Sequence, residues 1–88
     1  MERGDDRTGA PPPFAPPVKR SVTIAGHQTA ISLEPIFWDA LRAAAAERGL
    51  PINALVANID LARMAAPAPP NLASAIRCWL FDHIFRAP

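Results

Sequence analysis

The sequence predicts a mainly α-helical fold with a short β-ribbon at its front and an additional helix at its end, closed by two intertwined copies of the chain. Three observations lead there. Two short alternating segments flank Gly26, and three apolar-periodic segments follow, each bounded by Gly or Pro. The chain has only 88 residues, half of them apolar. A core of that size seldom supplies more than ~3–5 kcal/mol without a staple or a partner chain. The lone cysteine, Cys78, excludes an internal disulfide, and no cluster of metal ligands takes its place. A short, apolar-rich chain with no staple is expected to oligomerise.

Residues 1–17 mix charges and glycine with five prolines between Pro11 and Pro17. Proline lacks an N–H and fixes φ, so this stretch reads as an extended, disordered arm rather than part of the core. The next unit, residues 18–64, carries the ribbon and two helices. Residues 65–70, Ala-Ala-Pro-Ala-Pro-Pro, form a linker. Residues 71–88 carry a third helix, expected to pack on the core or on the dimer partner.

Ser21-Val22-Thr23-Ile24 and Thr29-Ala30-Ile31-Ser32-Leu33 alternate and are rich in β-branched residues. With Gly26-His27 at the turn centre, Ile24 faces Thr29 and Val22 faces Ile31. Val22, Ile24, Thr29, Ile31 and Leu33 then share one side of the ribbon. Ser21, Thr23, Gln28, Ala30 and Ser32 take the other. One long bent strand over this segment is the other reading of the same pattern.

Pro35 suits the first turn of a helix, and Gly49 its end, so a first helix is predicted over residues 35–48. Its stripe is Phe37, Leu41, Ala44 and Ala45, with Trp38 on the flank. Ser32 or Glu34 is expected to help satisfy its first amides. Ile52, Leu55, Val56 and Ile59 recur at i, i+3, i+4, i+7 and predict a second helix ending near Met64. Asn71 caps a third, predicted over residues 72–85. There Leu72, Ala75, Ile76, Trp79, Leu80 and His83 share a side, and Phe81, Ile84 and Phe85 widen the apolar surface over more than one neighbour. Cys78 reads as a small packed apolar residue. Trp38 and Trp79 read as aromatic anchors of a dimer interface.

The function classes narrow quickly. No nucleophile, base and orienter stand together, and there is no Gly-rich phosphate loop or close carboxylate pair, so no enzyme, cofactor or metal site is expected. His83 lies five residues beyond Cys78, which does not place both on one helical face. His27 reads as an exposed turn residue. No run approaches the ~20 apolar residues of a membrane span, and no apolar segment follows the N-terminal charges, so a cytoplasmic location is expected. Net charge is +1, with −1 in the arm and +2 in the remainder. Charge alone does not point to a nucleic acid.

The order of elements does. Thr29-Ala30-Ile31-Ser32-Leu33-Glu34-Pro35, Phe37-Trp38-Asp39-Ala40-Leu41, Glu47-Arg48-Gly49-Leu50 and Asn53-Ala54-Leu55-Val56 resemble the ribbon-helix-helix superfamily, the Arc/MetJ type of bacterial DNA binder. More narrowly, residues 19–27, Leu33-Glu34-Pro35 and residues 71–77 are similar to a short proteobacterial ribbon-helix-helix family with an added C-terminal helix. The resemblance spans about residues 19–85. It implies a dimer in which one strand from each copy, here Thr29 to Leu33, pairs antiparallel over a shared core of Ile31, Leu33, Leu41, Leu55, Val56 and Ile59. The physical argument agrees, because a lone hairpin is marginal in water and its edge is a template for another strand.

The resemblance also implies a transcriptional regulator that reads double-stranded DNA with the outward face of the paired ribbon. Those positions are Gln28, Ala30 and Ser32, with Ser21 and Thr23 beside them in a hairpin. Gln28 can pair bidentately with adenine. Lys19 and Arg20 neutralise phosphates at the ribbon's start, and the amides of Ile52 and Asn53 hold another at a helix N-terminus. Two departures weaken this face: Ala30 stands mid-ribbon, and Pro51 stands where a Ser or Thr cap is usual. The competing expectation is an interaction module, antitoxin-like in one form, whose scaffold offers the C-terminal helix or the Pro-rich arm to a protein or small regulatory ligand.

Overall fold

The computed structural model describes residues 14–86, in the order β1 (Val18–Ile24), β2 (His27–Leu33), α1 (Pro35–Glu47), α2 (Ile52–Met64) and α3 (Leu72–Arg86). The arm expected over residues 1–17 lies outside the described residues except for 14–17, which form neither helix nor strand. β1 and β2 form a two-stranded antiparallel sheet. The hairpin reading is therefore the right one of the two.

Its turn sits one residue earlier than expected. Ala25 (φ 50°) and Gly26 (φ 82°) form the centre, both left-handed as a two-residue type I′ turn requires. Ile24 consequently pairs with His27, Val22 with Thr29, Arg20 with Ile31 and Val18 with Leu33. This register differs from the expected one by two residues. It matches all seven residues of each strand and leaves Glu34-Pro35 free to open α1, whereas the expected register would have set Val18 against Pro35, which has no N–H to give. Because side chains alternate with period two, a two-residue shift keeps both faces as predicted. Val22, Ile31 and Leu33 are buried beneath the ribbon, and Ile24 and Thr29 are half-buried.

The Glu34 carbonyl accepts from the amides of Phe37 (2.9 Å) and Trp38 (3.1 Å) to begin α1, but no side chain caps it. The expected help from Ser32 or Glu34 is not given. Trp38 and Phe37 exchange the roles expected of them: Trp38 is 2% exposed and Phe37 only half-buried. The indole explains this, since its Nε1 donates to the Val18 carbonyl at 2.9 Å and so enters the core without an orphaned N–H. It anchors this chain's own core. α1 stops at Gly49 (φ 66°), where Gly49 N–H bonds Ala46 O (3.1 Å) and Leu50 N–H bonds Ala45 O (2.9 Å). This paired C-cap satisfies two helix-end carbonyls and turns the chain within two residues.

α2 buries Leu55, Val56 and Ile59. Arg63 pairs with Asp60 and also donates to the Pro70 carbonyl (3.0 Å), tying down the Pro-rich linker. Asn71 caps α3 as expected, its Oδ1 accepting from the Ser74 amide at 2.8 Å. α3 then lies against α1, α2 and β2 and drives Ala75, Ile76 and Leu80 into the core. Leu72 and Trp79 are half-buried at its margin.

One expectation for α3 needs correction. Cys78 is exposed, not packed. α3 packs on more than one neighbour as expected, although Phe81, Ile84 and Phe85 themselves stay 65%, 63% and 78% exposed. The buried face is the Ala75–Ile76–Leu80 stripe, which turns these three away from the core.

Ile31, Leu33, Leu41, Leu55, Val56 and Ile59, the residues expected to meet at a dimer core, are all 0–4% exposed within one chain. One chain alone therefore encloses them, with α3 among the elements packed on this core. No helix among the described residues is long and apolar enough to cross a membrane.

Candidate nucleic-acid interface

The ribbon has two chemically distinct faces because its strands alternate. Lys19 opposes Ser32, Ser21 opposes Ala30, and Thr23 opposes Gln28. All six side chains are exposed. They form three cross-strand rows on the face away from the core: one cation, four neutral hydrogen-bonding groups and one methyl. The rows differ from those expected, since the register sets Thr23 beside Gln28 and not beside Ala30. Gln28 and Thr23 thus present a hydroxyl and an amide side by side near the turn.

Arg20 does not join them. It stands opposite Ile31 on the core side of the ribbon, and its guanidinium lies 5.7 Å from the Trp38 ring centroid. Lys19 and Arg20 were both expected to contact phosphates from the ribbon's start; as neighbours in a strand they point to opposite faces. Lys19 alone brings charge to the outward rows.

Pairing elsewhere sharpens that contrast. Among the described residues, Arg42, Arg63, Arg77 and Arg86 form ion pairs with Asp39, Asp60, Glu34 and Asp82. Lys19, Arg20 and Arg48 take part in none of these. Arg48 lies instead over Trp79, 5.0 Å from the ring centroid, and Trp79 stacks on His83 (4.9 Å between centroids). His83 in turn reaches the Glu47 carboxylate at 3.2 Å. His27 is exposed beside the turn. Among the described residues, no three His, Cys, Asp or Glu side chains converge as a metal site would require.

The start of α2 meets the outer edge of β1. Pro51 is its N-cap and lends no side-chain bond; its carbonyl accepts from Ala54 (3.0 Å) and Leu55 (3.2 Å). Those two amides are used, while those of Ile52 and Asn53 belong to the first turn, whose N–H groups have no partner within the helix. The Asn53 side chain has a task that sequence alone did not reveal: its Oδ1 accepts from the Thr23 amide at 3.2 Å. The pair Asn53–Thr23 is thirty residues apart, and the packing of α2 on β1 brings them together. This polar contact fastens the α2 N-terminus to the outer edge of β1.

A second unforeseen contact lies at the other end. Arg77 of α3 donates from Nε (3.1 Å) and Nη2 (2.9 Å) to Glu34 Oε1, and its guanidinium covers the Phe37 ring at 5.6 Å. Glu34 immediately follows β2. Its carboxyl is held below the ordinary value of 4.5, first by a bond from its own backbone amide and then by Arg77. An Arg and a Glu forty-three residues apart carry no signal of their own in a sequence.

Beside β2, residues Thr29 to Ser32 and Asn71 to Ala73 enclose an open groove of about 290 Å³. The site thus consists of an exposed polar ribbon face, a helix N-terminus held against one ribbon edge, and a groove along the other. No curated protein and no solved structure is similar enough to the chain to count as a match. The family model for the ribbon-helix-helix domain matches residues 17–84, from the approach to β1 to near the end of α3. A two-stranded ribbon, two helices joined by a tight glycine turn, and that match together place this chain in the ribbon-helix-helix domain family.

Proposed function

We propose that two copies pair antiparallel through β2 and that the outward face of the combined ribbon enters the major groove of double-stranded DNA, as a non-enzymatic transcriptional regulator of the bacterial cytoplasm. Membership of a family that generally dimerises and binds DNA supports this reading. The observation that carries it is the face formed by Lys19, Ser21, Thr23, Gln28, Ala30 and Ser32, exposed and free of ion pairs among the described residues, opposite the face that carries Val22, Ile31 and Leu33 into the core. Gln28 and Ser32 supply donors and acceptors for base edges. Ala30 supplies a methyl-sized contact. Lys19 and the free amides of Ile52 and Asn53 are assigned to phosphates, which position the ribbon without reading sequence.

The weak charge sets the expected behaviour. One outward lysine per copy means that salt sensitivity is modest beside that of strongly basic binders. Binding of the dimer to promoter fragments, followed by anisotropy over a salt series starting at ~50 mM, tests the reading. Lys19→Ala is expected to weaken binding evenly across sequences and to lower the salt slope by about 1 for each phosphate that it no longer neutralises. Arg20→Ala, facing the other way, is expected to do less. Absence of binding at the lowest salt would end this proposal.

A second reading has its own support. Phe81, Ile84 and Phe85 leave a hydrophobic strip on α3 that a lone soluble helix has no need to display. A protein-binding module, antitoxin-like in one form, would use it. Retention of a partner by the wild-type chain and its loss in Phe81→Ser with Phe85→Ser, with the helix content unchanged, would favour that reading.

A further inference from the structure

The two strands of the ribbon leave different backbone groups unspent. In a hairpin with a two-residue loop, the residues flanking the turn are a hydrogen-bonded pair and bonded pairs alternate from there. Ile24 and His27 are that first pair, so His27, Thr29, Ile31 and Leu33 bond to β1. The N–H and C=O groups of Gln28, Ala30 and Ser32 point the other way, to the open side of β2. The bond from the Thr23 amide to Asn53 follows the same alternation on β1.

A strand joining β2 must lie ~4.8 Å from it, within hydrogen-bonding reach of those groups. That space is the groove whose opposite wall is the first turn of α3, Asn71 to Ala73. The same helix buries the core beneath, through Ile76 (0% exposed) and Leu80 (1%). It is fastened to the end of β2 by the Arg77–Glu34 pair, both partners about one-third exposed. It is joined to α2 by a linker that contains Pro67, Pro69 and Pro70 and no helix or strand.

We propose that α3 is a cover in cis: it completes the core of a single chain and, through its first turn, limits how readily the β2 edge accepts the β2 of a second copy. The occupant of the groove is thus a second copy of this chain, and the position of α3 sets the affinity. This rests on the ribbon-pairing reading above, but not on DNA binding. Loosening α3 at its clip widens the groove; filling the groove narrows it. The two changes must therefore move dimerisation in opposite directions.

The test is the dimer dissociation constant of the full chain, measured by analytical ultracentrifugation for the wild type, Arg77→Ala, Glu34→Gln and Ala73→Leu, with circular dichroism as the check on folding. Arg77→Ala is expected to tighten the dimer roughly fivefold, the worth of one partly exposed ion pair. Glu34→Gln removes the charge yet keeps an acceptor, and should act in the same direction by less. Ala73→Leu is expected to weaken the dimer by a similar factor. Unchanged constants, or a looser dimer in both clip variants, overturn the proposal. If the wild type pairs and these variants do not alter it, the cover falls and ribbon pairing stands. A wild type and variants all monomeric at ~1 mM, far above ordinary working affinities, overturn both. Opposite shifts without any DNA binding leave the cover standing and overturn the regulator.

Discussion

The outer edges of β1 and β2 belong to strands of equal length in one hairpin, yet they end against different things. β1 is met by α2, where Asn53 takes the Thr23 amide and the helix N-terminus adjoins the strand. β2 is met by a groove with the first turn of α3 across it. An edge whose groups are taken by a side chain cannot recruit a strand there, while an edge that faces a groove can. The ribbon is therefore polarised in its capacity for pairing, and that polarity comes from the helices and not from the strands. Both strands carry the same alternation and neither has proline to block its ladder.

The largest test asks whether the cover on the β2 side is as structural as it looks. Ile76 is completely buried and comes from α3, so Ile76→Ala is expected to cost about 3 kcal/mol in urea unfolding. If α3 closes the core in cis, that cost is the same at low and high protein concentration. A cost that grows with concentration would mean the helix is sheltering a neighbour instead. The corresponding change on the β1 side is smaller. Asn53→Ala removes one acceptor from an exposed strand amide and is expected to cost about 1 kcal/mol. It should also speed hydrogen exchange at Thr23 while leaving Ala30 and Ser32 unaltered. Equal acceleration at both edges would erase the comparison.

The unequal edges also mark where sequence reading stopped. The periodicity of Ile52, Leu55, Val56 and Ile59, the Gly49 stop and the Asn71 cap are local signals, and the three helices were legible to within a residue or two. The two ribbon faces were legible as well, because they depend only on parity. The register was not, since choosing between Ala25-Gly26 and Gly26-His27 turns on what the strand ends meet at Glu34-Pro35. Trp38 was misplaced on its helix because its burial depends on a carbonyl twenty residues away. The Asn53–Thr23 and Glu34–Arg77 contacts join residues with no local pattern between them, and they are what distinguish the edges. Ile31, Leu33, Leu41, Leu55, Val56 and Ile59 were legible as core, whereas the choice between α3 on its own core and α3 on a partner was left open: the apolar fraction of a chain does not say which helix will lie over its core.

The turn offers a smaller test, at the end of the ribbon beside the Thr23–Asn53 contact. Ala25 holds φ 50° with a Cβ, whereas Gly26 has nothing within 4 Å of where a Cβ would stand. The strain at Ala25 is thus in the backbone. Ala25→Gly is expected to stabilise the hairpin by about 0.5–1 kcal/mol, less the entropy that glycine adds to the unfolded chain. Gly26→Ala is expected to cost about 1 kcal/mol for the same reason. Since the turn fixes the register for both strands, these changes should shift protection at the two edges together. A response confined to β2 would mean that the edge beside α3 is governed locally.

The smallest effect isolates the clip between β2 and α3 by acidity. Glu34 has its carboxyl lowered from 4.5 by its own amide and by Arg77, so the folded chain holds the ionised form more firmly than the unfolded chain does. Stability from this group is accordingly complete above about pH 4.5 and fades as pH falls through the lower folded value. Glu34→Gln cannot titrate there. The difference in unfolding free energy between wild type and Glu34→Gln should therefore be constant from pH 7 down to about 5, and then shrink on further acidification. Asp60 and Arg63, paired within α2, stay the same in both proteins and cancel in that difference. A gap that persists undiminished at about pH 3, below the ordinary carboxylate range, would show that the hydrogen bonds, and not the charge, hold α3 to the end of β2, and Arg77→Lys would then fail to restore what Arg77→Ala removes.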